Sequence, residues 1–144
     1  MSKSILIAHP LNTVLAPEPI PPEWILGGNP EAQSHRLVRS RDWVSSVVVW
    51  ECKAGQFRWH YGTEETILVI SGEAFMINEK GEERRFATGD VGYFPAGSEC
   101  TWRVPDHIKK VAVLRETMWR PIGFSLKAWN KFLRMVGLAG KSGL

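Results

Sequence analysis

The sequence of 144 residues is poor in cysteine and lacks long apolar runs. Its two cysteines, Cys52 and Cys100, are too few for the disulfide framework of a small secreted domain. No stretch approaches the roughly 20 apolar residues of a membrane-spanning helix. The apolar run at residues 5–8 is shorter than the core of a signal peptide, about 7–15 residues. These absences predict a cytoplasmic protein with reduced thiols and no membrane partner.

The chain also has little excess of charge of one sign. Its formal net charge is +3, and no zinc-finger spacing or RNA-binding aromatic motif accompanies that mild excess. Nucleic acid is therefore not an expected partner. Hydrophobic residues make up 44% and charged residues 23%, which are ordinary values for a single globular domain of this length.

Proline is concentrated near the start of the chain. Pro17, Pro19, Pro21 and Pro22 forbid a continuous helix and favour extended backbone. An apolar segment at residues 24–26 then ends in a glycine turn. We therefore predict an irregular N-terminal arm over residues 1–42, which lies against its own barrel or against that of a partner.

Beyond the arm, short β-branched and aromatic runs alternate with glycine-containing turns. The runs lie at residues 47–50, 57–61, 66–70, 74–77, 84–86, 91–94, 101–104 and 110–114. Many short strands without crossover helices predict an antiparallel sandwich or barrel. The expected organisation is one domain over residues 1–144, with a barrel core at residues 43–116.

The tail has a different period. Five apolar residues recur at helical spacing, namely Leu126, Trp129, Phe132, Leu133 and Val136. This pattern predicts a short C-terminal helix over residues 125–137. Such a stripe favours a contact with the core or with a second copy over a membrane surface.

Two motifs connect the strands to a known family. The first is the segment from Gly89-Asp90 to Pro95-Ala96-Gly97, and the second is Glu65 followed after six residues by Gly72. Each motif turns the chain at the ends of strands. In this order and spacing they resemble the two signatures of the cupin superfamily. The resemblance implies an all-β fold, a cupin-type antiparallel jelly-roll barrel, with the arm and the short helix appended to it.

Further positions are similar to one branch of that superfamily, the ureidoglycine aminohydrolase-like cupins. The matching segments are Trp50-x-Cys52-x-x-Gly55-x-Phe57, Glu64-Glu65, Gly72-Glu73, Pro95-Ala96-Gly97 and Cys100-x-Trp102. The resemblance covers about residues 43–114. It also implies a homodimer, because similar cupins commonly pair.

The family's metal ligands are mostly absent at the matching positions. Trp59, Tyr61, Glu65 and Cys100 stand where metal-binding cupins keep their ligands. A second spacing allowed by the family would instead offer His60, Glu65 and Cys100 as a zinc set without a fourth ligand. Strand alternation places the aromatic residues inside and His60 outside. We therefore predict no metal site and no cofactor, with a divalent metal at these three residues as the alternative.

The same positions predict a pocket. Five side chains converge on the barrel interior, namely Trp59, Tyr61, Glu65, Cys100 and Trp102. Glu65 is the best catalytic candidate, because desolvation would disfavour its charged form and suit it to acid–base work. The competing interpretation is that the aromatic residues fill the barrel and Glu65 is held by a backbone amide or an arginine. Cys100 is better explained as a small buried apolar residue than as a nucleophile.

Three functions follow, and the sequence leaves open whether the protein is an enzyme. The leading hypothesis is a cupin with a degenerate metal site that binds a small molecule. The second is a metal-dependent aminohydrolase or isomerase acting on a small nitrogenous or carbonyl metabolite. The third is a dimerisation or sensory module that acts on a partner protein.

Overall fold

The computed structural model describes residues 4–118 and 120–138. Within them eight strands and one α-helix form. The strands are β1 (Ala16–Pro17), β2 (Ile25–Gly28), β3 (Ala32–Arg39), β4 (Ser45–His60), β5 (Glu64–Ile77), β6 (Glu83–Ala87), β7 (Val91–Phe94) and β8 (Glu99–Arg115), and the helix is α1 (Arg120–Met135). The prediction of an all-β jelly-roll barrel with one C-terminal helix is confirmed.

All strand pairs are antiparallel. The main path of the sheet runs β1-β3-β4-β8-β5-β6, while β2 pairs with β4 and β7 pairs with β5. The three longest strands, β4, β8 and β5, lie side by side in this path. They therefore carry most of the interior-facing positions, and a site inside the barrel must draw on them.

These three strands are longer than the sequence indicated. Residues 47–50 and 57–61, expected as two runs, fall largely within the single strand β4, and β5 and β8 each join two expected runs in the same way. The pairing register shifts between Lys53 and Gly55, and again beside Gly72. A bulge bends a strand without ending it. Glycines expected in turns therefore mark bends inside continuous strands.

The N-terminal arm is more regular than expected. Its residues include β1, β2 and β3, and β3 pairs with β4 over most of its length. Ile20 and Ala32 are buried in the core, and Trp24 packs edge-on against Trp59 with their ring centroids 5.2 Å apart. Pro17 lies in β1 at the end of the sheet path, and Pro19, Pro21 and Pro22 lie between strands, where a missing N–H is tolerated. The arm is thus part of the barrel wall.

Helix α1 begins five residues earlier than the predicted boundary at residue 125 and ends two residues before residue 137. Pro121 fits its first turn, where no intrahelical N–H is needed. Gly137 adopts a φ of +75° just after the helix, and the amide N–H of Leu138 donates to the Leu133 carbonyl. No residue of α1 is buried, so the helix does not make the core contact, and the contact with a second copy stays a prediction.

No helix within the described residues combines the length and the apolar character needed to cross a bilayer.

The apolar core lies between the sheet faces. Its largest fully buried side chains are Trp102, Phe57, Ile67, Ile108, Val49, Val69 and Cys52.

Candidate functional site

Alternate residues of β3, β4, β5 and β8 point to one place inside the barrel. Trp50 lies opposite Lys110 in the sheet, and Val48 lies opposite Ala112. On β5, Glu65 lies opposite Leu114. Since residues directly opposite in an antiparallel pair share a face, these side chains form a common inner surface.

A buried ion pair lies on this surface. The ammonium of Lys110 donates a hydrogen bond to Oε2 of Glu65 at 3.4 Å. The two side chains are 4% and 8% exposed. These residues are the only charged ones that are buried among the described residues. A buried charge needs a partner of opposite charge, and here Lys110 and Glu65 serve as partners for each other.

Three tryptophan rings surround the same ammonium. Nζ of Lys110 lies 4.8 Å from the ring centroids of Trp50 and Trp102 and 5.6 Å from that of Trp59. A cation within about 6 Å of an aromatic face is attracted by the ring quadrupole. The rings therefore replace part of the hydration that Lys110 loses on burial and hold its ammonium in place.

Burial nevertheless has the largest effect on the pKa of Lys110. Desolvation lowers the pKa of Lys110 below its ordinary value, and the nearby Glu65 carboxylate raises that pKa part of the way back. The charged form is thus less favoured here than on a surface lysine. It depends on Glu65 for much of its stabilisation.

A cavity of about 180 Å³ reaches this ion pair. Polar groups and apolar side chains share its wall. The lining residues are Glu18, Ser34, Arg36, Ser46, Val48, Trp50, Trp59, Glu65, Lys110, Ala112 and Leu114. Glu18 and Arg36 are exposed, so they form the mouth, whereas the ion pair forms the floor.

The residues at the mouth differ in their contacts. The Ser34 hydroxyl donates a hydrogen bond to the Glu18 carboxylate. Arg36 has no hydrogen-bond or ion-pair partner among the described residues. The mouth therefore offers a guanidinium that is free to bind an incoming anion.

The structure brings together part of the predicted pocket. Trp59 and Glu65 line the cavity. Tyr61 and Trp102 pack behind it, where the indole Nε1 of Trp102 donates to the Tyr61 hydroxyl at 2.9 Å. Cys100 lines a separate groove, and its thiol faces the carbonyl oxygen of Ile77 at 3.6 Å. The carboxylate of Glu65 is held by Lys110 and not by an arginine or a backbone amide.

The donor groups do not fit a metal ion. His60 lies on the outer side of β4, where its Nδ1 pairs with the Glu99 carboxylate at 2.9 Å. The Glu65 carboxylate faces the Lys110 ammonium, and Cys100 faces a backbone carbonyl. In the part of the chain that the structure describes, no three His, Cys, Asp or Glu side chains gather as a metal site requires. The nearest cation to Glu65 is an ammonium.

Sequence reasoning missed Lys110, Trp50 and Arg36. A signal for Lys110 existed, because alternation along β8 places it on the same face as the apolar residues Ile108 and Ala112. Its neighbour Lys109 points the other way and lies near Glu51. Arg36 lay in the arm that was expected to be irregular, so no face could be assigned to it.

A second polar cluster lies beside Gly72, where β5 bends. The Ser71 hydroxyl is 3.0 Å from Nε2 of His107, whose Nδ1 is 2.8 Å from the Asp106 carboxylate. The hydroxyl, the imidazole and the carboxylate follow one another in the order found in a hydrolytic triad. However, the Asp106 side chain is 92% exposed, so water competes for it and little fixes the histidine. We therefore take the cavity at Lys110 and Glu65 as the candidate site.

Solved structures support the fold. The EutQ protein of Clostridium difficile is 22% identical, with a TM-score of 0.54 over 62% of this chain and 71% of that one. A putative ethanolamine utilization protein Q of Salmonella typhimurium is also 22% identical, with a TM-score of 0.54 over 61% and 72%. A protein of unknown function from Pseudomonas syringae is 20% identical, with a TM-score of 0.66 over 72% of this chain and 45% of that one.

A search of curated proteins finds no match to this sequence. Residues 39–112, just over half of the chain, match the family described as the EutQ-like cupin domain. The matched segment runs from the end of β3 through most of β8, so it contains Trp50, Trp59, Glu65 and Lys110. The chain belongs to the EutQ-like family of cupin domains.

Proposed function

We propose that the chain binds a small carboxylic acid, without a metal ion, in the cavity above Glu65 and Lys110. The observation that carries this proposal is the fixed ammonium of Lys110 among three tryptophans. It supplies a positive charge where metal-binding relatives would hold an ion. An ammonium has three donors, and the hydrogen bond to Glu65 uses one of them.

The mouth of the cavity supports the choice of a carboxylate. Within the described residues Arg36 presents a guanidinium without a partner, and guanidinium binds carboxylate in a planar, two-pronged geometry. Hydroxyl groups of Ser34 and Ser46 add hydrogen-bonding positions on the wall. Glu18 and Glu65 balance the two cations, so a dianion would be bound less well than a monoanion.

The size and walls of the cavity support a compact, planar ligand. Its volume is about 180 Å³. An apolar cavity of about 150 Å³ is large enough for benzene. Trp50 and Trp59 line the cavity, and aromatic side chains favour contact with a flat apolar body. Benzoate combines a flat body with one carboxylate and is therefore a suitable probe.

Titration calorimetry with benzoate, on chelator-treated protein, tests the proposal. The matched pair of variants is Lys110→Met and Lys109→Met, which remove adjacent lysines on opposite faces of β8. We expect Lys110→Met to weaken binding at least tenfold, and Lys109→Met to leave it unchanged, because charge-assisted hydrogen bonds are worth about 1.5–3 kcal/mol. Equal binding by both variants would refute the role of Lys110, and no binding by any form would refute the ligand class.

The alternative is a metal-dependent aminohydrolase or isomerase, as in the ureidoglycine aminohydrolase-like branch. The interior position of Glu65 favours it, because that branch keeps a ligand there. Metal analysis of protein purified without chelator distinguishes the two proposals. Stoichiometric manganese, zinc, iron or nickel that disappears in Glu65→Ala would support the metal-dependent enzyme and contradict the metal-free site.

We also propose a homodimer that forms through the outer face of the sheet. Leu68 and Val91 lie opposite each other on β5 and β7, and Val113 lies opposite Thr66 on the neighbouring strand β8. Leu68, Val91 and Val113 are all exposed. Burial of such a face favours association. Light scattering on protein eluting from a sizing column should give twice the chain mass, and a strict monomer at high concentration would contradict the dimer.

A further inference from the structure

Helix α1 carries most of its apolar surface on the side opposite its charges, with Phe124 as the exception on the basic side. Its basic residues are Arg120, Lys127, Lys131 and Arg134, and it contains no acidic residue. At 3.6 residues per turn these four lie along one side. On the opposite side lie Ile122, Leu126, Trp129, Leu133 and, just beyond the end of the helix, Val136.

The apolar side of α1 has no cover within the described residues. No residue of the helix is buried, and Trp129 is 58% exposed. Trp129 and Phe132 stack on one another with their ring centroids 5.8 Å apart, so two large rings stand together at the surface. A contiguous apolar patch of this kind marks an interaction surface.

The barrel does not provide the missing cover. A gap of about 570 Å³ lies where α1 faces it, and the barrel contributes Glu64 and Arg115 to the lining. These two residues form an ion pair with each other at 3.1 Å. Of the apolar side of the helix only Leu126 lines this gap, beside Arg120 and Lys127, so Trp129 and Leu133 lie outside the part of α1 that faces the barrel.

The positive charge of the helix indicates what kind of surface covers its apolar side. We propose that α1 lies on the surface of an anionic phospholipid membrane, with its apolar side in the boundary between headgroups and acyl chains. A second copy would bring the same four cations, which form no ion pair with any described residue, whereas anionic headgroups bring the opposite charge. Trp129 suits this boundary, and the long stems of the basic residues let their charges reach headgroups beside the helix.

The proposal is independent of the carboxylate site and differs from the expectation of no membrane partner. It describes a helix that lies on a bilayer and does not cross it. The length of α1, 16 residues, is suited to this arrangement and short of the roughly 20 residues that a span requires.

Co-sedimentation of the full chain with lipid vesicles tests it. Vesicles of phosphatidylcholine alone are compared with vesicles that also contain phosphatidylserine, at low and high salt. We expect binding to the anionic vesicles only, with weaker binding at high salt because exposed charges are screened. Removing two charges with Lys127→Ser and Lys131→Ser should weaken binding roughly thirtyfold. Trp129→Ser with Phe132→Ser should abolish it.

A matched control removes two basic residues elsewhere. Lys80→Ser with Arg84→Ser takes the same charge from the exposed hairpin between β5 and β6 and should leave binding unchanged. Thermal unfolding should be the same for all three double variants, because none of the six residues is buried. A common loss of binding in the Lys127 and Lys80 pairs would mean attraction by net charge alone and would overturn the proposal.

Other outcomes also overturn it. Equal binding to neutral and anionic vesicles would remove the role of charge, and absence of binding to both would remove the membrane. If the Trp129 and Phe132 variant converted a dimer to a monomer while the wild type ignored vesicles, the occupant would be a second copy. An acidic protein partner would be the remaining occupant if the wild type were monomeric and ignored vesicles.

Discussion

The indole Nε1 of Trp102 donates a hydrogen bond of 2.9 Å to the hydroxyl oxygen of Tyr61 in the interior of the barrel. Both side chains are buried, with residue exposures of 1% and 2%. Tyr61 also stacks on Phe94 with a centroid distance of 4.8 Å. Trp102 in turn contacts the Lys110 ammonium, so this bond sets one wall of the tryptophan enclosure.

Tyr61→Phe should destabilise the protein. The substitution keeps the ring stacked but leaves the Trp102 N–H buried without an acceptor, which costs about 1–3 kcal/mol. Urea unfolding measures the change. The matched control is Tyr93→Phe, whose hydroxyl donates to Glu64 at the surface, and which should change stability by less than about 0.5 kcal/mol. Equal losses of unfolding free energy in the two variants would show that the hydrogen bond from Trp102 stabilises the protein no more than the surface hydrogen bond of Tyr93.

The Lys110–Glu65 pair should be strongly coupled. Lys110→Met strands a buried carboxylate, and removing one partner of a buried pair costs about 3–5 kcal/mol. Adding Glu65→Gln to that variant removes the stranded charge and should recover much of the loss. A double-mutant cycle by urea unfolding checks the coupling. Additive losses would show that the two groups do not depend on each other.

Stability should also rise with pH through this pair. Burial lowers the pKa of Lys110 below its ordinary value of 10.5. Between the lowered pKa and 10.5 the unfolded chain holds the proton that the folded chain has released. Because stability rises with pH wherever the unfolded state binds more protons, the wild type should gain relative to the Lys110→Met and Glu65→Gln double variant.

Urea unfolding of both forms at several values from roughly pH 7 to pH 10 tests that sign. The difference between their free energies of unfolding isolates the pair, because the other titrating groups are shared. A difference that falls with pH would contradict a lowered pKa.

The barrel could be predicted from sequence because strand runs, turns and cupin spacing are local signals. The lengths of the strands could not be predicted from the sequence. Gly55 and Gly72 read locally as turn residues, and only the partner strand decides whether the chain reverses or continues through a bulge. Gly72 continues β5 because β8 pairs with it on both sides of the bend.

The candidate site could be predicted only in part. Alternation on β4 and the cupin spacing place Trp59 and Glu65 in the interior, and both line the cavity. Lys110 was missed because a charged residue is not expected inside without a partner, and its partner lies 45 positions away in the sequence. The two residues come together because β5 and β8 lie side by side, with Val69 opposite Lys110 and Glu65 four residues further along, and no local signal encodes that pairing.

The two cysteines should differ in reactivity. Burial raises the pKa of the Cys52 thiol to about 12, so at pH 8 only about one Cys52 in ten thousand is a thiolate. Burial also raises the pKa of Cys100, but its side chain is partly exposed. Mass spectrometry after iodoacetamide treatment should find Cys100 labelled first and Cys52 labelled only on unfolding. Fast labelling of native Cys100→Ser protein would contradict this order.

Gly72→Ala should be far more damaging than Gly81→Ala. Both glycines have left-handed backbone, with φ of +72° and +78°, so an added Cβ costs about 1–2 kcal/mol at either position. At Gly81 the Cβ meets open space, whereas at Gly72 it would collide with the carbonyl oxygen of His107. The backbone of β8 must move to relieve that contact. Urea unfolding should therefore show a loss at Gly72 that exceeds the loss at Gly81 by at least about 2 kcal/mol, and equal losses would mean that the bend in β5 is not held against β8.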